Sequence, residues 1–391
     1  MELLYNKDSY LTEFLADVVS IEPVELNGKP VWDIVLNRSC FFPEEGGQDC
    51  DHGSIFDVNS ENFYRVIYVA LKDGVIHHYV ESEGRPVIAR AHGLIDWDER
   101  FDKMQQHSGE HLVSGTVYRY FGFNNTGFHL GDVDVTLDFN GFFTEDELIF
   151  IEKTVNRAVL ENFESKIYVP SKEELKKINY RSKKEIDGDV RIVEFPGYDV
   201  CACCAPHVKT TGEIGMIKII SSEHFKGGTR MMIKCGWRAL SDYNERLKSC
   251  RAVSHLLSAK AEEIAPAVEK LSKDYRDLKY SYTELQGDYL DSLVRTAVQN
   301  PNPVIFIENA DTSVARDAVN NMVEKSDGYC GCFIGSDNQG YSFIVSSRSK
   351  NCPELLNRLK ECFEAKGGGK NRMIQGSCKG SRKAIMELIN A

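Results

Sequence analysis

At 391 residues, 42% of them hydrophobic, the chain is long enough to bury more than one core, and no apolar run approaches the roughly 20 residues that a bilayer span needs. Its formal net charge of −12 counts against a protein that coats nucleic acid with a broad basic surface, because phosphate contacts require local cation density. The opening Met1–Asp8 stretch lacks the basic-then-apolar order of a secretory signal, so the 12 cysteines are expected as reduced thiols and ligands in a cytoplasmic, membrane-free protein.

Residues 1–90 read mostly as strand. Val31–Leu36 and Tyr64–Leu71 alternate or run apolar, and Asn27-Gly28, Asp73-Gly74 and Glu83-Gly84 supply turn signals between such runs. A small β-barrel is the natural packing. Within it lies a loop, Ser39-Cys-Phe-Phe-Pro-Glu-Glu-Gly46-Gly47-Gln48-Asp-Cys-Asp51-His-Gly53, whose paired glycines allow backbone to approach a ligand closely.

Residues 91–238 read as an α/β domain. A helix from Arg100 to about Phe121 carries His107-Ser-Gly-Glu-His111, and the four-residue spacing places both imidazoles on one face. Val133–Phe139 alternates as a strand, and Thr144 with Glu147 three residues later marks a helix start. Further on stands Cys201-Ala-Cys203-Cys204-Ala-Pro206-His207, where the proline makes the segment a turn rather than a helix interior. Cys203 and His207 add a thiolate and a third imidazole to the histidine pair, an ordinary zinc set. Cys201 and Cys204 remain rival ligands. An isolated His pair or cysteine-rich turn means little; together, in a chain with only 10 histidines, they point to a metal. Lys226-Gly-Gly228-Thr-Arg230 closes the segment, an arginine beside glycines that suits a phosphate or a base.

Residues 239–298 are helical. Ile264, Val268, Leu271, Tyr275, Leu278, Tyr282, Leu285 and Tyr289 alternate by four and three in a heptad seam. An antiparallel hairpin, with Pro266 at the start of its second helix, or one helix of an intermolecular coiled coil satisfies that pattern. Residues 299–391 return to strands (Pro303–Glu308, Tyr341–Ser346) among helices. Residues 341–391 hold ten Lys and Arg against four Glu, reversing the sign of the whole, and include Gly367-Gly-Gly-Lys370-Asn-Arg372. No Walker spacing follows, which disfavours ATP. The fold class is therefore α+β: an N-terminal small β-barrel, a zinc-bearing α/β domain, a helical hairpin and a C-terminal α/β domain.

Met104-Gln-Gln-His-Ser-Gly-Glu-His-Leu112, with Cys203-Cys-Ala-Pro-His207-Val and Thr211-Gly-Glu-Ile-Gly215, resembles the editing domain of alanyl-tRNA synthetases and, more closely, the free-standing AlaX proteins in their long form. Cys204-Ala205-Pro206 stand where the family has Gly-Gly-Thr, leaving the ligands in register. The Ser39–Gly53 loop is similar to the family's Thr-x-Phe-Tyr-Pro-Glu-Gly-Gly-Gly-Gln loop beside the editing pocket, with Ser39 for the threonine and Glu45 for a glycine. The tail resembles the DHH-associated domain of the same proteins. The resemblance implies a trans-editing hydrolase that removes serine, and glycine, from tRNA(Ala) with Zn2+ on His107, His111, Cys203 and His207. Ser39 and Gln48 would read the amino acid at the bordering Gly46 and Gly47. Gly228 and Arg230 would reach the acceptor end, and Lys370 and Arg372 would contact tRNA. The heptad seam admits a homodimer through the hairpin and C-terminal domain, and no ligase activity is expected, since the aminoacylation domain lies outside the match. Two rivals stand beside it: a zinc peptidase read from His-x-x-Glu-His with Glu110 as base, and a noncatalytic tRNA-binding module with structural zinc.

Overall fold

The computed structural model describes residues 1–131, 133–182 and 188–391, grouped into two units, Met1–Ser249 and Cys250–Ala391. The division falls within a helix, Gly236–Leu257.

The first unit opens with seven antiparallel strands, β1 (Glu13–Ala16), β2 (Val18–Leu26), β3 (Lys29–Leu36), β4 (Gly53–Asp57), β5 (Phe63–Lys72), β6 (Val75–Val80) and β7 (Ala91–Ile95), in the order β1-β7-β4-β5-β6-β3-β2. Alternation directs Phe14, Ile34, Leu36, Ile55 and Ile76 inward, where they meet Phe41 and Phe42 of the glycine loop. The sheet curls but its ladder is linear, so the expected closed barrel is corrected to a half-barrel. Its two edges, β1 and β2, are one continuous stretch bent at Asp17. Asn37 clamps that bend, donating from its backbone to Asp17 O (3.0 Å) and accepting from Asp17 N–H through its side chain (3.0 Å). The chain itself turns the corner that a closing ladder would otherwise span. The sheet also runs on to Ile95, past the expected boundary at 90, because β7 inserts between β1 and β4.

Helix α1 (Trp97–Phe121) follows, capped by Asp96, which accepts from Glu99 N–H, and stopped at Gly122 in the left-handed region. From Met104 to Val117 every residue is buried, because α1 packs on α2 (Glu145–Glu161), on β8 (Asn125–Leu130) and on further strands of the unit. Thr144 and Glu147 form the expected capping box of α2. Strand β9 (Val135–Phe139) completes the hairpin with β8. A three-stranded sheet, β10 (Lys166–Tyr168), β11 (Ile192–Phe195) and β12 (Asp199–Ala202), delivers the cysteine turn. Strands β13 (Ile217–Phe225) and β14 (Gly228–Cys235) join β8 and β9 in the order β8-β9-β14-β13, and α3 (Gly236–Leu257) leads out.

The second unit holds α4 (Ile264–Ala297), whose last turns bury Leu290, Val294 and Ala297 against α5 (Thr312–Lys325). The seam expected inside a hairpin is open to solvent: Val268, Leu271, Tyr275, Leu278, Tyr282 and Leu285 are 44–68% exposed. A five-stranded sheet follows, β15 (Val304–Ile307), β16 (Cys330–Ser336), β17 (Gly340–Ser346), β18 (Lys366–Lys370) and β19 (Met373–Cys378), ordered β15-β16-β17-β19-β18 and parallel only between β15 and β16. One face packs on α4 and α5. The other packs on α6 (Cys352–Phe363) and α7 (Arg382–Asn390), each face taking alternate residues of the strands. No helix among the described residues is long and apolar enough to cross a membrane.

Candidate metal centre

Two elements meet at one point of the first unit. Helix α1 contributes His107 and His111 from one face, one turn apart. The turn after β12 contributes Cys203 and His207. Their ligand atoms all lie within 4.8 Å of one another, and all but Cys203 are buried. Among the described residues, Cys203 is the cysteine that shares a cluster with all three histidines; Cys201 groups only with His111 and Asp199. Cys204 Sγ turns the other way, to the glycine loop, where a β-carbon on Gly46 would stand 3.4 Å from it.

Each imidazole is fixed through Nδ1, leaving Nε2 for the centre. His107 Nδ1 meets Gln48 Oε1 at 2.8 Å, His111 Nδ1 meets Asp199 at 2.9 Å, and His207 Nδ1 meets Ser108 Oγ at 3.0 Å. Cys203 Sγ stands 3.3 Å from His207 Nε2 and 3.6 Å from His107 Nε2. Zinc–sulfur and zinc–nitrogen bonds of about 2.3 and 2.0 Å in a tetrahedron separate S from N by about 3.5 Å, so the donor set fits such an ion in spacing as well as type. Electrostatics agree. Burial alone would raise the Cys203 thiol, but His107 and His207 hold it well below the ordinary range, as a ligand thiolate requires. Burial drives His207 down to about 3. At His111 burial acts the same way, yet the bond to Asp199, with Cys203 and Glu110 nearby, raises it to about 10.

The surrounding residues explain why the site assembles. Asp199 accepts from Nε and Nη2 of Arg181, at 2.7 and 2.8 Å, as well as from His111. Against burial, Arg181 holds its carboxyl below the usual range. Gly115 lets β12 come this close: a β-carbon there would lie 2.4 Å from Tyr198 O and 2.6 Å from Asp199 Cβ. Arg191 binds Cys203 O (2.8 Å) and Ala205 O (2.9 Å), holding the cysteine turn in shape. On the opposite side, buried Arg100 pairs with Asp51 and donates to Cys40 O, and Lys103 donates to Cys50 O. These bonds pin the glycine loop to α1 and set Gln48 beside His107.

Gln48 is fully buried. Its Oε1 faces His107, while Nε2 has no hydrogen-bond partner. Gly47, at φ +85°, bends the loop here, and a side chain on it would meet Phe128 at 2.9 Å; that ring packs on His107 with centroids 4.8 Å apart. Gly46, at φ +66°, lies beside it. Ser39 is fully buried in the half-barrel, 2.7 Å from His78 Nε2. His78 Nδ1 donates to Ile34 O at 2.9 Å, so Nε2 is the acceptor and the Ser39 hydroxyl donates to it. Phe41 N–H donates to the same hydroxyl at 3.1 Å. Arg230 is engaged with Asp138, at 2.7 and 2.8 Å, and lies 3.6 Å over the Phe225 ring; Gly228 begins the same strand, β14. Lys370 and Arg372 belong to the second unit, both exposed around the β18–β19 turn. Sequence reasoning did not single out Asp199, Arg181, Arg191, Ser108 or His78. Only Ser108, inside the His-x-x-x-His span, carried a local signal.

Comparison with known proteins adds to this geometry. Residues 190–231 match the second additional domain of threonyl and alanyl tRNA synthetases, a segment that includes Cys203 and His207. Over its whole length the chain is 28% identical to an alanyl-tRNA editing protein, Aarsd1, of Rattus norvegicus, covering 97% of that protein. It is 24% identical to the alanyl-tRNA editing protein AlaX-L of Pyrococcus horikoshii, over 99% of this chain and 97% of the other. It is also 28% identical to 43% of an alanine–tRNA ligase of Archaeoglobus fulgidus, aligned over 99% of this chain. Over nearly its whole length the chain is thus similar to alanyl-tRNA editing proteins, including the long-form AlaX protein whose motifs it resembles.

Proposed function

We propose that this chain is a trans-editing hydrolase that deacylates mischarged tRNA(Ala), Ser-tRNA(Ala) first and Gly-tRNA(Ala) second, with zinc on His107, His111, Cys203 and His207. One observation carries the proposal: four metal-type donors converge beside a buried Gln48 amide that has a donor to give. Zinc, when bound, lowers the pKa of a water to about 7 and polarises a carbonyl. The chain's own residues do the rest. His107, through its bond to Gln48 Oε1, fixes which end of that amide is left free for a substrate. Gln48 Nε2–H is then the donor for the ester carbonyl oxygen, where negative charge grows as the ester is attacked.

Ser39 enters through the one lone pair its hydroxyl has left after His78 and Phe41 N–H, an acceptor for a serine hydroxyl on the substrate. Lys370 and Arg372 offer exposed cations for tRNA phosphates, while Arg230 gives two of its five N–H donors to Asp138 and has the rest to offer RNA. The open α4 seam suits a second copy of the chain, giving a homodimer through the second unit.

Stripping the metal and restoring zinc tests the reading: deacylation of Ser-tRNA(Ala) should vanish and return. A second reading has support in the four protein donors, which fill a tetrahedral site without an open position. In that case the chain is a tRNA-binding module with structural zinc, and deacylation is absent with metal bound.

A further inference from the structure

A cleft of about 500 Å3 opens in the first unit between the last turns of α1 and the middle of α2. Its walls carry Arg119 from α1 and Lys153 and Arg157 from α2, against a single carboxylate, Glu161. In a chain of net charge −12, that is a local reversal of sign. Glu161 is shared between Arg157, at 3.6 Å, and the Tyr198 hydroxyl, at 3.3 Å. Arg119 and Lys153 have no acidic partner among the described residues. Arg119 is nevertheless held: it donates to Gly197 O and lies 5.6 Å from the Tyr120 ring centroid.

Inside the cleft, Thr116 is 1% exposed and its hydroxyl has no hydrogen-bond partner. A buried hydroxyl left unpaired is destabilising, and a ligand oxygen seated there would offset that cost. The half-exposed rings of Tyr120 and Phe150 also line the cleft. Cations interleaved with aromatic faces match a nucleic-acid strand, phosphates to the former and bases or riboses to the latter. They match an acidic peptide less well, since nothing in the cleft reads its backbone.

The cleft adjoins the metal centre. Arg119 lies eight residues beyond His111, about 12 Å along the helix, and the Tyr198 wall is continuous with Asp199, which anchors His111. We propose that this cleft binds phosphodiester groups of the tRNA whose aminoacylated end occupies the metal centre, with Arg119 and Lys153 as the principal contacts. The inference rests on the editing reading.

The test is binding of uncharged tRNA(Ala) to the full chain between 50 and 200 mM salt, for the native protein, the double variant R119Q/K153Q and a control, Lys172→Gln, on a separate exposed helix. Each phosphate that is no longer neutralised should lower the slope of log Kd against log salt by about 0.7–0.9. The double variant should therefore reduce the slope by about 1.5, an eightfold smaller salt effect across that range, with its thermal unfolding unchanged. Tight binding with the native slope overturns this inference and leaves the editing reading standing. Inorganic phosphate bound by the native chain but not by the variant, with equal tRNA slopes, makes this a small-anion site and overturns the RNA assignment. Absence of both tRNA binding and deacylation in the native chain overturns the editing reading itself, and this inference with it.

Discussion

Asp199 accepts from Nδ1 of His111 at 2.9 Å, and the same carboxylate is held in a two-pronged pair with Arg181. The histidine is thereby fixed in the tautomer that leaves Nε2 facing Cys203. Carboxylates behind metal-ligating histidines typically contribute about 10–100-fold in affinity. Asp199→Asn should therefore weaken zinc binding by about that factor, measured by competition with a chromophoric chelator. Native affinity in this variant would mean that His111 is oriented by packing alone.

Gln48→Glu separates the two jobs assigned to Gln48. A glutamate keeps an oxygen for His107 Nδ1 but has no N–H for a substrate. Zinc content should stay near one per chain, while single-turnover deacylation of Ser-tRNA(Ala) falls about 10²–10³-fold, the usual cost of one oxyanion donor. A rate within about threefold of the native chain, far short of that cost, would remove Gln48 from the chemistry.

His78 gives the half-barrel a pH dependence. Burial holds it at about 4 in the folded chain, below its ordinary 6.5. The unfolded chain therefore takes up a proton that the folded chain refuses as pH falls from 6.5 to 4. The stability is intact above pH 6.5 and declines through that window by about 3 kcal/mol. Urea unfolding at pH 7 and pH 4 should show native and His78→Gln chains differing by that amount in their loss. Parallel losses would exclude His78 as the cause.

Exposure of the α4 seam carries its own expectation. Leu271, Tyr275, Leu278 and Tyr282 present a strict heptad face with nothing over it among the described residues. If a second copy covers it, the double substitution Tyr275→Asp and Leu278→Asp should give monomers in sedimentation equilibrium where the native chain is dimeric. A native chain that is already monomeric would retire the dimer.

The sequence made legible what depends on local spacing. His107 and His111 sit on one helix face because four residues span about one turn, and the Thr144–Glu147 cap was readable for the same reason. Asp199 was not, because its role arises when β12 lands beside Gly115, far away along the chain. Ser39 shows the same limit: nothing in its loop reveals that His78, on another strand, takes its hydroxyl proton in a hydrogen bond. The heptad in α4 was plain as a pattern, but a pattern specifies a buried face without naming what buries it.

The most direct test is single-turnover deacylation of Ser-tRNA(Ala), Gly-tRNA(Ala) and Ala-tRNA(Ala), with zinc content determined on the same preparation. Under the editing proposal, fast loss of serine, slower loss of glycine and survival of alanine are expected, with both losses abolished in His111→Ala. Survival of all three esters with zinc bound and tRNA retained would contradict it, leaving a binding module whose metal is structural.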